Sequence, residues 1–94
     1  MSAERPHDLQ PLLGKLVVLD TSGPFVYIGR LARVGSEYLV LTEADVHDMR
    51  DAGGTREAYV VEAKRIGVRV NRSAVHVKLA QVLSLSALEE VVGF

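Results

Sequence analysis

Glu43, Asp45, His47, Asp48 and Asp51 fall within nine residues of one another. Carboxylates beside an imidazole are a donor set for a hard divalent cation such as Mg²⁺ or Mn²⁺. The spacing fits no calcium-loop pattern, and no Gly stands where such a loop must turn. These side chains therefore read as loop residues that satisfy local backbone groups, and no metal or cofactor is expected. A second group is basic: Arg56, Lys64, Arg65, Arg69, Arg72 and Lys78. Residues 56–78 hold six basic and two acidic side chains, net +4, against −3 for residues 1–55 and −2 for residues 79–94. The whole chain is only −1, so any attraction for phosphate has to come from that middle segment. Catalytic patterns are missing. His7, His47 and His76 stand alone, and the chain has no Gly-x-Ser-x-Gly, no phosphate loop and no His-Glu-x-x-His. No catalytic residue is expected.

The elements that would carry these side chains are mostly strands. Lys15–Asp20, Phe25–Val34 and Glu37–Glu43 are rich in Val, Leu, Ile, Tyr and Phe, which suits a pleated surface. Thr21-Ser22-Gly23-Pro24 and Gly35-Ser36 interrupt them, giving a three-stranded antiparallel meander. Gly29 lies inside the long middle run, where a lone Gly signals a sharp bend or close backbone approach. Residues 1–8 read as a flexible N-terminus. Asp8 to Gly14 reads as a short helix, with Asp8 as cap, Pro11 in its first turn and Gly14 past its end. Its Leu9, Leu12 and Leu13 would cover an open end of the sheet.

After Glu43 the apolar pattern is lost, so 44–54 reads as a loop. Thr55 can cap a helix from Arg56 to Ile66 that Gly67 ends, with Tyr59, Ala63 and Ile66 on one face. Ala74–Lys78 and Val82–Leu85 are two further short strands. Ser86-Ala87-Leu88-Glu89 has the form of a capping box opening a last helical turn.

Ninety-four residues make one small domain, assigned to 9–94 with an insertion at 44–73. Hydrophobic residues reach 48% with no Trp, so the core must be Val, Leu and Ile. A surplus of these in so small a domain suggests burial between subunits. Cysteine is absent, which excludes disulfides and thiolate metal sites. No apolar run approaches the length of a membrane span, and the first residues lack the apolar core of a signal peptide. A cytoplasmic protein without membrane contact is expected.

Leu13-Gly14-Lys15 followed by Val17 and Leu19, Tyr27-x-Gly29-x-Leu31-x-x-Val34, and Leu39-Val40-Leu41-Thr42-Glu43-Ala44 together resemble the first motif of the Sm-like small barrels. That family includes Sm and Sm-like proteins and the bacterial chaperone Hfq. Val75-His76-Val77-Lys78 with Val82 and Leu85 is similar to its second motif. The resemblance implies a mainly β fold: a five-stranded bent antiparallel barrel with a short N-terminal helix, here with a helical insertion between strands 3 and 4. It also implies a homo-oligomeric ring, in which strand 4 of one copy pairs with strand 5 of the next. Ser36, Glu37, Tyr38 and Lys78 stand where the family lines its pore. Tyr38 could stack on a base and Lys78 meet a phosphate of single-stranded RNA, with Arg69 and Arg72 as further phosphate contacts. The chain departs from the family in its RNA-contacting turn. Gly35-Ser36-Glu37-Tyr38 lacks the family's Asp and Asn, and Lys78-Leu79 replaces its Arg-Gly. A second expectation is therefore a ring-forming scaffold that binds protein through helix 56–66 and the apolar tail of Leu88, Val91, Val92 and Phe94.

Overall fold

The computed structural model describes residues 6–51 and 54–93, with side chains from residue 9 onward. Five strands form one antiparallel sheet: β1 (Leu16–Thr21), β2 (Phe25–Val34), β3 (Tyr38–Asp48), β4 (Arg72–Lys78) and β5 (Val82–Ala87). Their order is β4-β3-β2-β1-β5, which leaves β4 and β5 at the two edges. A single α-helix, α1 (Arg56–Ile66), joins β3 to β4. No described helix is long and apolar enough to cross a membrane.

The bend expected at Gly29 is present. Ile28 pairs with Asp45 and Arg30 with Thr42, so Glu43 and Ala44 together oppose Gly29 in a β-bulge. Glu43 takes the left-handed conformation there, with φ of 49°. A Cβ on Gly29 would lie 3.0 Å from the Ala44 Cβ and 3.1 Å from the Thr42 carbonyl oxygen. Glycine lets the two backbones come this close without a Cβ crowding them.

Apolar residues fill both faces of the bent sheet. On the inner face Val17, Leu19, Leu31, Leu39, Leu41, Ala44 and Val77 form one buried cluster. Leu12, at the end of the N-terminal 3-10 helix Pro6–Leu12, and Leu13 just after it close its open end. That helix already begins at Pro6, inside the segment expected to be flexible; Asp8's capping role lies outside the described side chains. On the outer face Val18, Val26 and Ile28 pack with Ala63 of α1 and Leu88 of the tail. Continuous apolar runs such as Leu16–Leu19 are the mark of a strand buried on both faces. Much of the Val and Leu surplus is thus covered within one chain.

Several features differ from the sequence reading, among them the start of β4 at Arg72 and the end of β5 at Ala87. β3 continues through residues 44–48, of which 45–48 pair with 25–28 of β2, instead of ending at Glu43. Asp45 and His47 point to the face under α1, where polar groups of other elements meet them, so hydrophobic alternation is hidden. Ser86 belongs to β5 and caps nothing; the last turn is a 3-10 helix at Leu88–Glu90 whose flanking Ala87 makes no side-chain cap. Ile66 is 64% exposed, because α1 turns Tyr59, Val60 and Ala63 to the sheet instead.

α1 itself starts and stops as its sequence dictates. The Thr55 hydroxyl accepts from the Ala58 N–H at 3.1 Å, and Gly67 at φ 104° returns its N–H to the Ala63 carbonyl. Its docking is polar as well as apolar. The Tyr59 hydroxyl donates to Asp45 Oδ2 at 2.6 Å, Asn71 Nδ2 donates to Oδ1 at 2.9 Å, and His47 stacks on the Tyr59 ring at 4.2 Å. One turn before Tyr59, at the start of α1, Arg56 pairs with Asp20 at 2.9 Å.

Gly29→Ala must push β2 and β3 apart at the bulge and should cost about 1–3 kcal/mol in chemical denaturation. Tyr59→Phe strips one oxygen of the buried Asp45 of its donor and should cost about 1–2 kcal/mol at neutral pH. Burial, then the hydrogen bond and charge of Asp45, hold the Tyr59 hydroxyl well above its ordinary 10.0. An unfolded tyrosine ionises near pH 10 while the folded one keeps its proton. That stabilisation is complete below pH 10 and falls away above it. Thermal melts from pH 8 to 11 should show an alkaline loss that is smaller in Tyr59→Phe.

Candidate nucleic-acid interface

The turn between β2 and β3 is closed by the Gly35 N–H, which donates to the Tyr38 carbonyl at 2.8 Å. The connection between β4 and β5 is a 3-10 turn, Leu79–Gln81, whose Leu79 N–H donates to the Glu37 carbonyl at 2.8 Å. The two turns are therefore tied to one another. Tyr38 and Lys78 are direct partners across the β3–β4 ladder, and Ser36, Glu37, Tyr38 and Lys78 are all exposed. Tyr38 keeps 45% of its surface open beside an ammonium group, the pairing that holds a stacked base and its phosphate. Glu37 opposes such binding through its charge.

Register adds two side chains that the sequence reading did not place here. His76 is two residues back from Lys78 and shares its face; its ring meets Tyr38 edge-on at 6.4 Å. It is exposed in the single chain. Arg33 pairs with Val40, which pairs with His76, so an exposed guanidinium joins the same face. Alternation along β4 could have pointed to His76. Arg33 depends on a second bulge between Leu31 and Arg33 that no pattern announces.

Arg69 and Arg72 are not part of this cluster. Arg72 pairs with Ala44, six residues along β4 from Lys78, or roughly 20 Å at strand rise. Arg69 instead lines a cleft of about 350 Å³ between α1 and the lead-in to β4, with His47, Tyr59, Ile66, Val70 and Asn71. Two other basic residues hold the insertion in place: Arg56 pairs with Asp20, and Lys64 donates to the Val91 carbonyl.

The acidic group is dispersed in the same way. Glu43 pairs with Arg30 at 3.1 Å, and both oxygens of Asp45 accept from Tyr59 and Asn71. Asp48 accepts from the Arg50 side chain at 2.7 and 3.0 Å and from its main-chain N–H at 2.9 Å. Those bonds, the side-chain ones first, bring its carboxyl down to about 2. Among the described residues no three metal-ligating side chains converge. In the tail, Leu88 is buried and Val91 packs partly buried in the cluster under α1; Val92 is exposed, and Phe94 lies outside the described residues.

No protein-family model matches this chain, and no curated protein sequence matches it. Solved structures do. A Pyrococcus abyssii Sm protein, determined in complex with a uridine heptamer, is similar with a TM-score of 0.58 at 21% identity, covering 89% of this chain and 99% of its own. A chain of the NatC complex, determined bound to CoA, gives 0.57 at 14% identity, covering 98% of this chain and 100% of its own. Likeness at such identities is likeness of fold. Five bent antiparallel strands closed by an N-terminal helix, with a 3-10 turn between β4 and β5, give this chain an Sm-like fold.

Proposed function

We propose that this chain is a ring-forming subunit that binds single-stranded RNA on its turn face and catalyses nothing. Copies would join by pairing the β4 edge of one with the β5 edge of the next. Among the described residues the outer side of each edge strand has no ladder partner, and an unpaired edge is a template for another strand. The observation that carries the RNA reading is the juxtaposition of exposed Tyr38 with Lys78, with Arg33 and His76 on the same face. A ring repeats that face around its axis, so the two cations of each copy, Arg33 and Lys78, become a positive annulus. The Sm protein determined with a uridine heptamer supports the choice of ligand.

A second reading is a protein-binding scaffold within a larger complex. It draws support from the structural likeness to a chain of the NatC complex and from the negative Glu37 beside Tyr38.

Fluorescence anisotropy with a short uridine-rich strand separates the two. Binding should weaken steeply with salt, since each neutralised phosphate contributes about −0.7 to the log–log slope for single strands. Lys78→Ala and Arg33→Ala should each flatten that slope. Tyr38→Ala should weaken binding about tenfold with little change of slope, because stacking releases few counterions. Glu37→Gln should tighten binding. Absence of binding at low salt, or binding indifferent to Tyr38 and Lys78, would remove the RNA reading and leave the scaffold.

A further inference from the structure

We infer that a charged clasp of Arg69 and Arg72 on one copy against Glu89 and Glu90 on the next fixes how the chain's two free edges join. This inference rests on the edge pairing proposed above and names the groups that select its partner.

The two ends involved are opposite in charge. Arg69 and Arg72 are exposed around the start of β4, and Glu89 and Glu90 are exposed just past the end of β5. Within one chain β4 and β5 occupy opposite edges of the sheet and share no ladder, so the arginines do not serve their own chain's glutamates through strand pairing. Between two copies the direction of pairing decides the outcome. A parallel β4–β5 pair would set the arginines beside Gln81 and Val82, where no acid stands. An antiparallel pair, also the stronger ladder, brings the start of β4 to the end of its neighbour's β5. A register that pairs the two strands along their full length then sets both arginines within a few residues of both glutamates.

Both ends are held in place before they meet. Asn71, between the arginines, donates its N–H to the Ala44 carbonyl at 2.8 Å and its amide to Asp45 and Val46. The glutamates follow buried Leu88, and Glu89 is steadied by Lys15 at 3.1 Å while staying largely open to solvent. Exposed apolar groups flank the charges on each side: Val70, 55% exposed, on one and Val92, 82% exposed, on the other. Rim charges of this kind contribute register and partner choice more than affinity. A copy of this chain fits this end of its neighbour, and a subunit with basic residues after its fifth strand is repelled.

Sedimentation velocity over a concentration series tests the clasp. The chains compared are wild type, Arg69→Glu/Arg72→Glu, Glu89→Arg/Glu90→Arg, and the variant carrying all four changes. All four side chains are exposed, so circular dichroism should report the same fold throughout. Each double reversal sets like charges together and should raise the dissociation concentration about tenfold or more. The fourfold variant restores opposite charges and should return to within about threefold of wild type. If wild type assembles and either double reversal leaves it unchanged, or the fourfold variant is no better than the doubles, the clasp is overturned alone. If wild type is a monomer at every concentration, the edge pairing falls and the clasp with it.

Discussion

The close approach of β2 and β3 at Gly29 and Ala44 is the constraint on which the rest of this small barrel depends. With 3.0 Å between an added Cβ and its neighbour, no side chain other than hydrogen fits there unless the strands part. The bulge divides two long strands into two working halves. Residues 30–34 and 38–42 curl around the inner cluster and end in the tied turns. Residues 25–28 and 45–48 continue beyond the bend and become the platform on which α1 rests. One steric fact therefore positions both the turn face and the insertion.

The same bend explains how so short a chain uses so many aliphatic residues. Val17 and Leu19 face inward while Leu16 and Val18 face α1, so a single strand serves two clusters. The polar clamp of Asp45, Tyr59 and Asn71 adds direction to that packing. It ties strand, helix and lead-in to β4 at one point, and a buried carboxylate holds its place only while both partners are present. The start of β4 is fixed by this clamp.

The parts of the fold legible in the sequence were those governed by local chemistry. Thr55 and Gly67 marked the bounds of α1, Gly29 marked the bend, and the turn residues marked the meander. What escaped was decided at long range. Asp45 and His47 look like loop residues until Tyr59 and Asn71 supply their partners across the sheet. Ser86 has a capping-box neighbour in sequence, yet the β1 ladder holds it in a strand. The site divides along the same line. Tyr38 and Lys78 could be set together from a family resemblance, but Arg33 reaches them only through a bulge. Arg69 and Arg72 share a charge with Lys78 and not a location.

The account joins two surfaces: a turn face suited to a single strand of RNA, and two unpaired edges suited to another copy of the chain. The second is the more basic claim, because a ring is what would multiply the turn face into a binding annulus. Light scattering coupled to size exclusion, at micromolar concentration and moderate salt, tests it most directly. The account predicts one species with a mass several times the 10.2 kDa of a single chain. A clean peak at 10.2 kDa would contradict it.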